Sequence, residues 1–357
     1  MHTILRAVCM VAVLLAVATV HAQSTRPFQV FVTTDDDDNN VLLFVDVITG
    51  EVTEVPAPGQ RYTVAGDAVI FTSPDGGQIL QAMPDGTITP HPFIQRSAGT
   101  HRIDWAVSQD NTRIAWTVTS LSGDGSLSTL TRVANPDGTQ AQDLLADGPQ
   151  NGVRAFPVAF SVDNTTLYMD YQPDGLGALT PYDEYAGLFA VPLDAPNTVN
   201  TLPAEPGCYC GAGFGGGVFL RLAVADDLTG FNLRVFDLRA QVERSIDGRS
   251  PQNFTQGGDV LVSPDGTRAI YAVAQVRDFG SPGQVVQSVF MLVDIEAGTQ
   301  EQLTVPQTLF IRPQAWTEGN NTIIFTSPTR PGTWKMNPES GQLLQISDST
   351  YIGTYGS

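Results

Sequence analysis

Polar turns followed by short apolar strands alternate along this chain, and one such unit recurs. The nine-residue phrase Ser108–Trp116 returns as Ser161–Met169, Ser263–Tyr271 and Thr317–Phe325, each with a Ser/Thr-led polar turn and a large apolar residue in the last place. Their starts lie 53, 102 and 54 residues apart, so the middle gap spans two periods and predicts a hidden copy. Gly211–Phe219 fills that gap, with its turn decayed to glycine and its final aromatic kept. Turns such as Pro-Asp-Gly or Asp-Asn reverse the chain because Asp and Asn bond their own backbone and Gly takes a positive φ. Each phrase therefore predicts an antiparallel hairpin, and a period of roughly 50 residues built from such hairpins predicts a β-propeller.

A second phrase completes the unit. Phe44–Val55 recurs as Val235–Val242 and Leu292–Leu303, with a looser copy over Trp334–Ile346. Its aspartates Asp46, Asp237 and Asp294 are placed to cap turns rather than to do chemistry. With the strands of each blade lettered a to d from the inside outward, the b strands are Val30–Thr33, Ala68–Thr72, Ile114–Thr119, Leu167–Tyr171, Val218–Leu222, Ala269–Ala274 and Thr322–Thr326. The first has almost no chain before it once a leader is removed, and the alternating tail Ser349–Tyr355 is left over at the other end. The predicted fold is all-β: a seven-bladed β-propeller of four-stranded antiparallel blades. The C-terminal strand Thr350–Tyr355 closes the ring by completing the blade that begins near Phe28, which removes an exposed edge.

The ends and the composition change this picture in three ways. Residues 1–22 carry one basic residue, Arg6, then an apolar run Ala7–Val20 and the small-residue end Val20-His21-Ala22. That run is shorter than the roughly 20 apolar residues of a spanning helix, so it predicts a secretory leader cut near Ala22, followed by a single propeller domain over 23–357. The expected location is secreted or periplasmic, and the expected state a monomer outside the membrane. Lys and Arg number 18 against 37 Asp and Glu, a formal charge of −19 that becomes −20 on loss of Arg6. Such a surface repels phosphate backbones and anionic lipid, which disfavours nucleic acid and membrane and leaves cations or basic partners open. Cys208 and Cys210 are the cysteines that remain after the leader; free or partly buried thiols are the first expectation, a local disulfide the second. Zinc comes last, since two thiolates need further ligands and only His91 and His101 remain as histidines.

The Ser-Pro-Asp-Gly turns at Ser73–Gly76 and Ser263–Gly266, with the hairpins that follow them, resemble the repeats of TolB-like and WD-repeat-like β-propellers of the secreted bacterial type. The resemblance covers nearly the whole mature chain and implies architecture. It implies little about activity, because such repeats serve scaffolds, periplasmic binding modules and the non-catalytic halves of peptidases. The chain departs from the pattern at the glycine-rich fifth turn and at the shortened second hairpin around Ala65-Gly66-Asp67. Ser108-Gln-Asp110-Asn-Thr112 is similar to a sialidase Asp-box, but with threonine in the glycine place, and no Gly-x-Ser-x-Gly elbow is present.

Candidate chemistry falls on the face that carries the b–c and d–a connections. The b–c loops contain Asp35, Asp36, Asp37 and Asp38, then Asp124, Asp174, Asp183, Glu184, Asp226, Asp227 and Asp278, and successive blades must turn them to one side. Carboxylates from several blades suit a hard cation, so Asp35 to Asp38 with Asp226 and Asp227 are the candidate metal residues. The expectation is no cofactor, with Ca2+ as the ion such a rim would take. Tyr182, Tyr185, Phe231 and Phe279 beside these loops, and His91 and His101 in the d–a loop with Arg96 and Arg102, are the candidate ligand-binding residues. No catalytic residue is assigned. The first functional reading is a secreted, non-enzymatic propeller that binds a protein, peptide or glycan through an acidic loop face. The second is a metal-dependent, lactonase-like propeller hydrolase holding a cation on loop carboxylates.

Overall fold

The computed structural model describes residues 26–176, 182–202, 208–225, 230–249, 251–278, 281, 283–317 and 319–356. The leader assigned to residues 1–22 lies outside them. Twenty-eight strands form seven four-stranded antiparallel sheets. Blade I joins β1 (Phe28–Thr34), β2 (Asn40–Asp46) and β3 (Val52–Pro56) to the last strand of the chain. Blade II is β4 (Gln60–Ala65), β5 (Ala68–Thr72), β6 (Ile79–Ala82) and β7 (Ile88–Pro90), and blade III is β8 (Thr100–Val107), β9 (Ile114–Leu121), β10 (Ser126–Ala134) and β11 (Gln142–Asn151). Blade IV is β12 (Val153–Phe160), β13 (Thr166–Pro173), β14 (Leu188–Pro192) and β15 (Asn200–Thr201), and blade V is β16 (Ala212–Gly215), β17 (Val218–Val224), β18 (Phe231–Asp237) and β19 (Val242–Ile246). Blade VI is β20 (Gln256–Val262), β21 (Arg268–Arg277), β22 (Val285–Asp294) and β23 (Thr299–Gln302). Blade VII is β24 (Arg312–Thr317), β25 (Thr322–Thr326), β26 (Thr333–Met336) and β27 (Leu343–Ser347), and β28 (Thr350–Tyr355) follows it.

The ring closes as the sequence predicts. β28 takes the innermost place of blade I, pairing antiparallel with β1 from Phe28↔Tyr355 to Val32↔Thr350. Tyr355 is buried there, its ring stacked on Phe28 at 5.4 Å and set edgewise to Phe44 at 6.4 Å.

Turn chemistry sets the hairpins. In the a–b turns of blades III, IV and VI, Ser108, Ser161 and Ser263, and in the b–c turn of blade II Ser73, each donate the hydroxyl to the aspartate two residues on at 2.6 Å, and that carboxylate accepts the backbone N–H two residues further along. In the c–d turns Asp46 accepts from the N–H groups of Ile48 and Thr49, Asp237 from those of Arg239 and Ala240, and Asp294 from that of Ala297. These aspartates are caps, as their spacing predicts.

Packing follows the period of two. In β21 the buried residues Ala269, Tyr271 and Val273 join the core shared with blade V, whereas Ile270, Ala272 and Ala274 join the core shared with blade VII. A b strand covered on both faces buries successive residues, so these runs are mostly apolar without alternation, and the polar side chains they hold, such as Thr117, Asp170 and Arg221, are buried too. Six such clusters fill the six junctions from blades I–II to VI–VII. At the junction of blade VII with blade I, Thr333 donates to Ser349 O at 2.6 Å and accepts from Tyr351 N at 2.8 Å.

Cys208 and Cys210 are joined in a disulfide, the second of the three states expected for them. Their Cα atoms stand 5.5 Å apart, within bridging range. The buried guanidinium of Arg221 gathers this segment, donating to the carbonyls of Cys208, Cys210 and Tyr185.

Candidate functional site at the channel mouth

The innermost strands line the central channel, and six of the seven carry a register shift. The extra residues are Ile352 on β28, Arg61 and Tyr62 on β4, His101 on β8, Val158 on β12, Asp259 and Val260 on β20, and Gln314 on β24. A bulge re-aims side chains and bends its strand. Arg61 and Asp259 also sit at φ 61° and 51°, a left-handed backbone that costs a non-glycine residue about 1–3 kcal/mol and must be held by its surroundings. Both bulges lie towards the starts of a strands, on the side where the b–c and d–a loops emerge.

Around Arg61 the mouth is cationic. Asp104 on β8 is buried and accepts from three arginines: Arg102 Nε at 2.9 Å and Arg61 at 3.3 Å on Oδ1, and Arg154 at 2.6 Å on Oδ2. Arg154, on β12 and almost wholly buried, donates Nε to Asp174 at 3.0 Å, and Asp174 meets His101 Nε2 at 2.7 Å. Arg61 also donates to Ile103 O at 2.8 Å and lies over the Trp105 ring at 4.5 Å. Three guanidinium groups thus face two carboxylates, and the side chains of Arg61 and Arg102 remain 40% and 42% exposed. In a chain of charge −19 this is a local surplus of positive charge.

The part of the mouth built from the blade IV loop and the inner strands β20 and β24 has the opposite character. Asp259 accepts the Asp183 N–H at 2.7 Å and lies 3.2 Å from Arg312 Nε. Its carboxyl is only 6% exposed, and burial raises its pKa against the opposing pull of Arg312. Burial, then the Asp259 charge, pushes Glu184 up to about 7. Two carboxyls that share a desolvated corner cannot both ionise cheaply.

The sequence-predicted residues divide among these settings. His101 and Asp174 meet in the cationic network, and Asp183 and Glu184 border the acidic corner. His91 is buried; its Nδ1 accepts the Ile94 N–H at 3.0 Å, and burial takes its pKa down to about 4, so it is a neutral support for the d–a loop. Tyr182 is 1% exposed and packs edgewise on Phe310 at 5.7 Å, and Phe231 is 6% exposed within the core between blades V and VI. Neither presents a ring to solvent: Tyr182, from the blade IV loop, is inserted into the core between blades VI and VII, and Phe231 starts a strand whose ring is covered by blade VI. Tyr185 is partly buried and pairs its backbone with that of Cys210. Asp35 accepts from the N–H groups of Asp37 and Asn39 within its own exposed loop, beside Asp36 and Asp38, and Asp124 is likewise bonded to Ser122 and Ser126. Phe279, Asp226 and Asp227 lie outside the described residues. Among the described residues no group of three or more His, Cys, Asp or Glu side chains is placed to hold a metal ion.

Arg61, Asp104 and Arg154 are the residues that sequence reading misses. One signal was available: Arg102 and Arg154 lie 52 residues apart, one repeat, each near the start of an a strand.

No family model matches this chain, and no curated protein does. Solved structures do. An oligogalacturonate lyase in complex with manganese superposes with a TM-score of 0.51 at 12% identity, over 90% of this chain and 84% of that one. A puromycin hydrolase S511A mutant superposes at 0.55 and 15%, over 91% of this chain and 54% of that one, so the present chain spans about half of it. A putative TolB from Agrobacterium tumefaciens is matched at 0.40 and 15%, over 67% of this chain and 83% of that one. Identities this low describe architecture alone, and by its ring of seven four-stranded sheets the chain is a β-propeller, similar in fold to the first two of these structures.

Proposed function

We propose that this chain is an exported, non-enzymatic binding propeller that receives a carboxylate-bearing segment of a partner polypeptide at the cationic side of the channel mouth. The observation that carries this reading is the Arg61–Arg102–Arg154 cluster around Asp104, whose guanidinium groups outnumber its carboxylates and of which Arg61 and Arg102 keep exposed edges. Exposed guanidinium edges on a partly desolvated network accept a further carboxylate in the paired geometry that arginine favours. The acidic corner formed by Asp183, Glu184 and Asp259 would select against a uniformly acidic surface and favour a partner that also carries a base. The acidic loop face expected from sequence is thereby refined to a mouth of two charges.

Fluorescence anisotropy with labelled decapeptides of glutamate, of lysine and of alternating glutamate and lysine tests this. The alternating peptide should bind, and more tightly than the glutamate peptide, and Arg61→Gln with Arg102→Gln should weaken it about tenfold, the worth of a charged hydrogen bond. Equal binding of the lysine peptide, or affinity unmoved by the two substitutions, would sink the proposal.

A further inference from the structure

On the opposite face, where the a–b turns lie, the channel opens into a cavity of about 880 Å3 lined from blades III to VII. A Cβ on Gly213 would stand 2.4 Å from Val260 O, and one on Gly216 would stand 2.1 Å from Gly266 N, so only glycine lets this part of blade V lie directly against blade VI beside the cavity. Tyr168 of blade IV and Phe214 of blade V line it, their rings stacked at 4.0 Å and 7°, and the other face of Phe214 lies on Phe219 at 4.9 Å. Phe160 and Trp316 add apolar wall, and Gln109 and Gln314 supply amides at the rim.

The polar groups of this cavity are neutral or already taken. Asp110 accepts from Ser108, Thr112 and Asn164, and Asp163 from Ser161 and Thr165, so these carboxylates are held by their own turns and by a neighbouring turn. The Tyr168 hydroxyl is different. The residue is 5% exposed, lines the cavity and has no hydrogen-bond partner among the described residues. Burial, with Asp163 nearby, pushes its pKa up to about 12, so it remains a donor at neutral pH.

We propose that this cavity is a binding site for a neutral oligosaccharide, its C–H groups set against the apolar wall that includes Ala159, Phe160, Leu261 and Trp316 and its hydroxyls bonded by Tyr168, Gln109 and Gln314. An aromatic wall with a few convergent neutral polar groups is the usual build of a small-molecule site, and the volume is within the roughly 300–1,000 Å3 of such sites. The lining carboxylates Asp110 and Asp163 each hold a turn, and among the described lining residues there is a single cation, Arg239. The site is independent of the charged mouth on the other face.

Calorimetry of the full exported chain with cellotetraose, xylotetraose, mannotetraose and maltotetraose is the test. At least one should bind. Tyr168→Phe, which removes only the hydroxyl, and Gln314→Ala, on an exposed residue, should each weaken it about three- to tenfold, the worth of one hydrogen bond. Phe214→Ala should lose it altogether, with the melting temperature of every variant recorded as the folding control. Glu54→Gln, on the outer part of blade I, should leave it unchanged. No tetrasaccharide binding with Kd below about 5 mM would overturn the proposal. Binding that survives both Tyr168→Phe and Gln314→Ala would overturn it equally.

Discussion

At the scale of single residues, carboxyls in this propeller fall into two sets with opposite pH behaviour. Turn aspartates such as Asp110 and Asp265 pay a burial cost, but the bonds from Ser108 and Ser263 and the turn N–H groups outweigh it and take each down to about 2. Their folded pKa lies below the ordinary aspartate value of 3.8, so the stability they confer is full above that value and is lost as pH falls towards 2. Asp259 and Glu184 are raised by burial, which means that the folded state binds more protons than the unfolded state between roughly pH 4 and 7. Stability should therefore fall as pH rises through that window, Arg312 and Arg221 opposing the effect and Asp183 adding to it. The expected profile peaks near pH 4–5, between the two windows. Urea melts from pH 2 to 8 check this, and Asp259→Asn should flatten the decline above the peak. A variant whose profile still falls as steeply would show that the corner does not titrate as a unit.

Elements divide the work differently: b strands carry the core, a strands carry the site. β5, β21 and β25 bury apolar residues at successive positions because each faces two blades, as do Ile114–Trp116 of β9 and Leu167–Met169 of β13, and the bounds of these strands were legible from the repeats to within a few residues. Inner strands hold bulges and charges instead, and they are the elements that polar and apolar patterning describes least well. β28 is the exception that serves both purposes, since it closes blade I and packs Tyr355 between Phe28 and Phe44. Tyr355→Ala should cost about 3–5 kcal/mol, the usual loss on deleting a buried aromatic. Truncation after Ser347 should cost more, because it bares the whole inner edge of β1. Thermal melts of the two variants should rank in that order, and an unchanged midpoint for the truncated chain would show that the strand is dispensable to the ring.

For the whole molecule, antiparallel blades of one strand order put every b–c loop on one side, so the acidic loops share a face without having to form a cation site. Asp35 and Asp124 are engaged in their own turns, and Asp174 is turned to Arg154 and His101. Millimolar Ca2+ should accordingly leave the melting temperature where it is. A rise that grows with concentration and disappears in Asp226→Asn with Asp227→Asn would return the cation reading to first place, since a ligand of the folded state alone stabilises it by mass action.

The repeats by themselves determined the blade number, the b strands, the capping aspartates and the closing strand, because turn chemistry and a period of two act over a few residues and recur. The state of Cys208 and Cys210, the burial of Tyr182, Phe231 and His91, and the grouping of Arg61, Arg102 and Arg154 on Asp104 were decided only by tertiary structure. Those charges come from three blades, with Arg61 41 residues before Arg102 and Arg154 52 after it, and no local pattern records which side chains the ring brings within 3 Å or so. The glycines of the fifth turn show the same limit from the other side: they read as a decayed repeat in sequence, and only their close approach to blade VI reveals why no larger residue fits there.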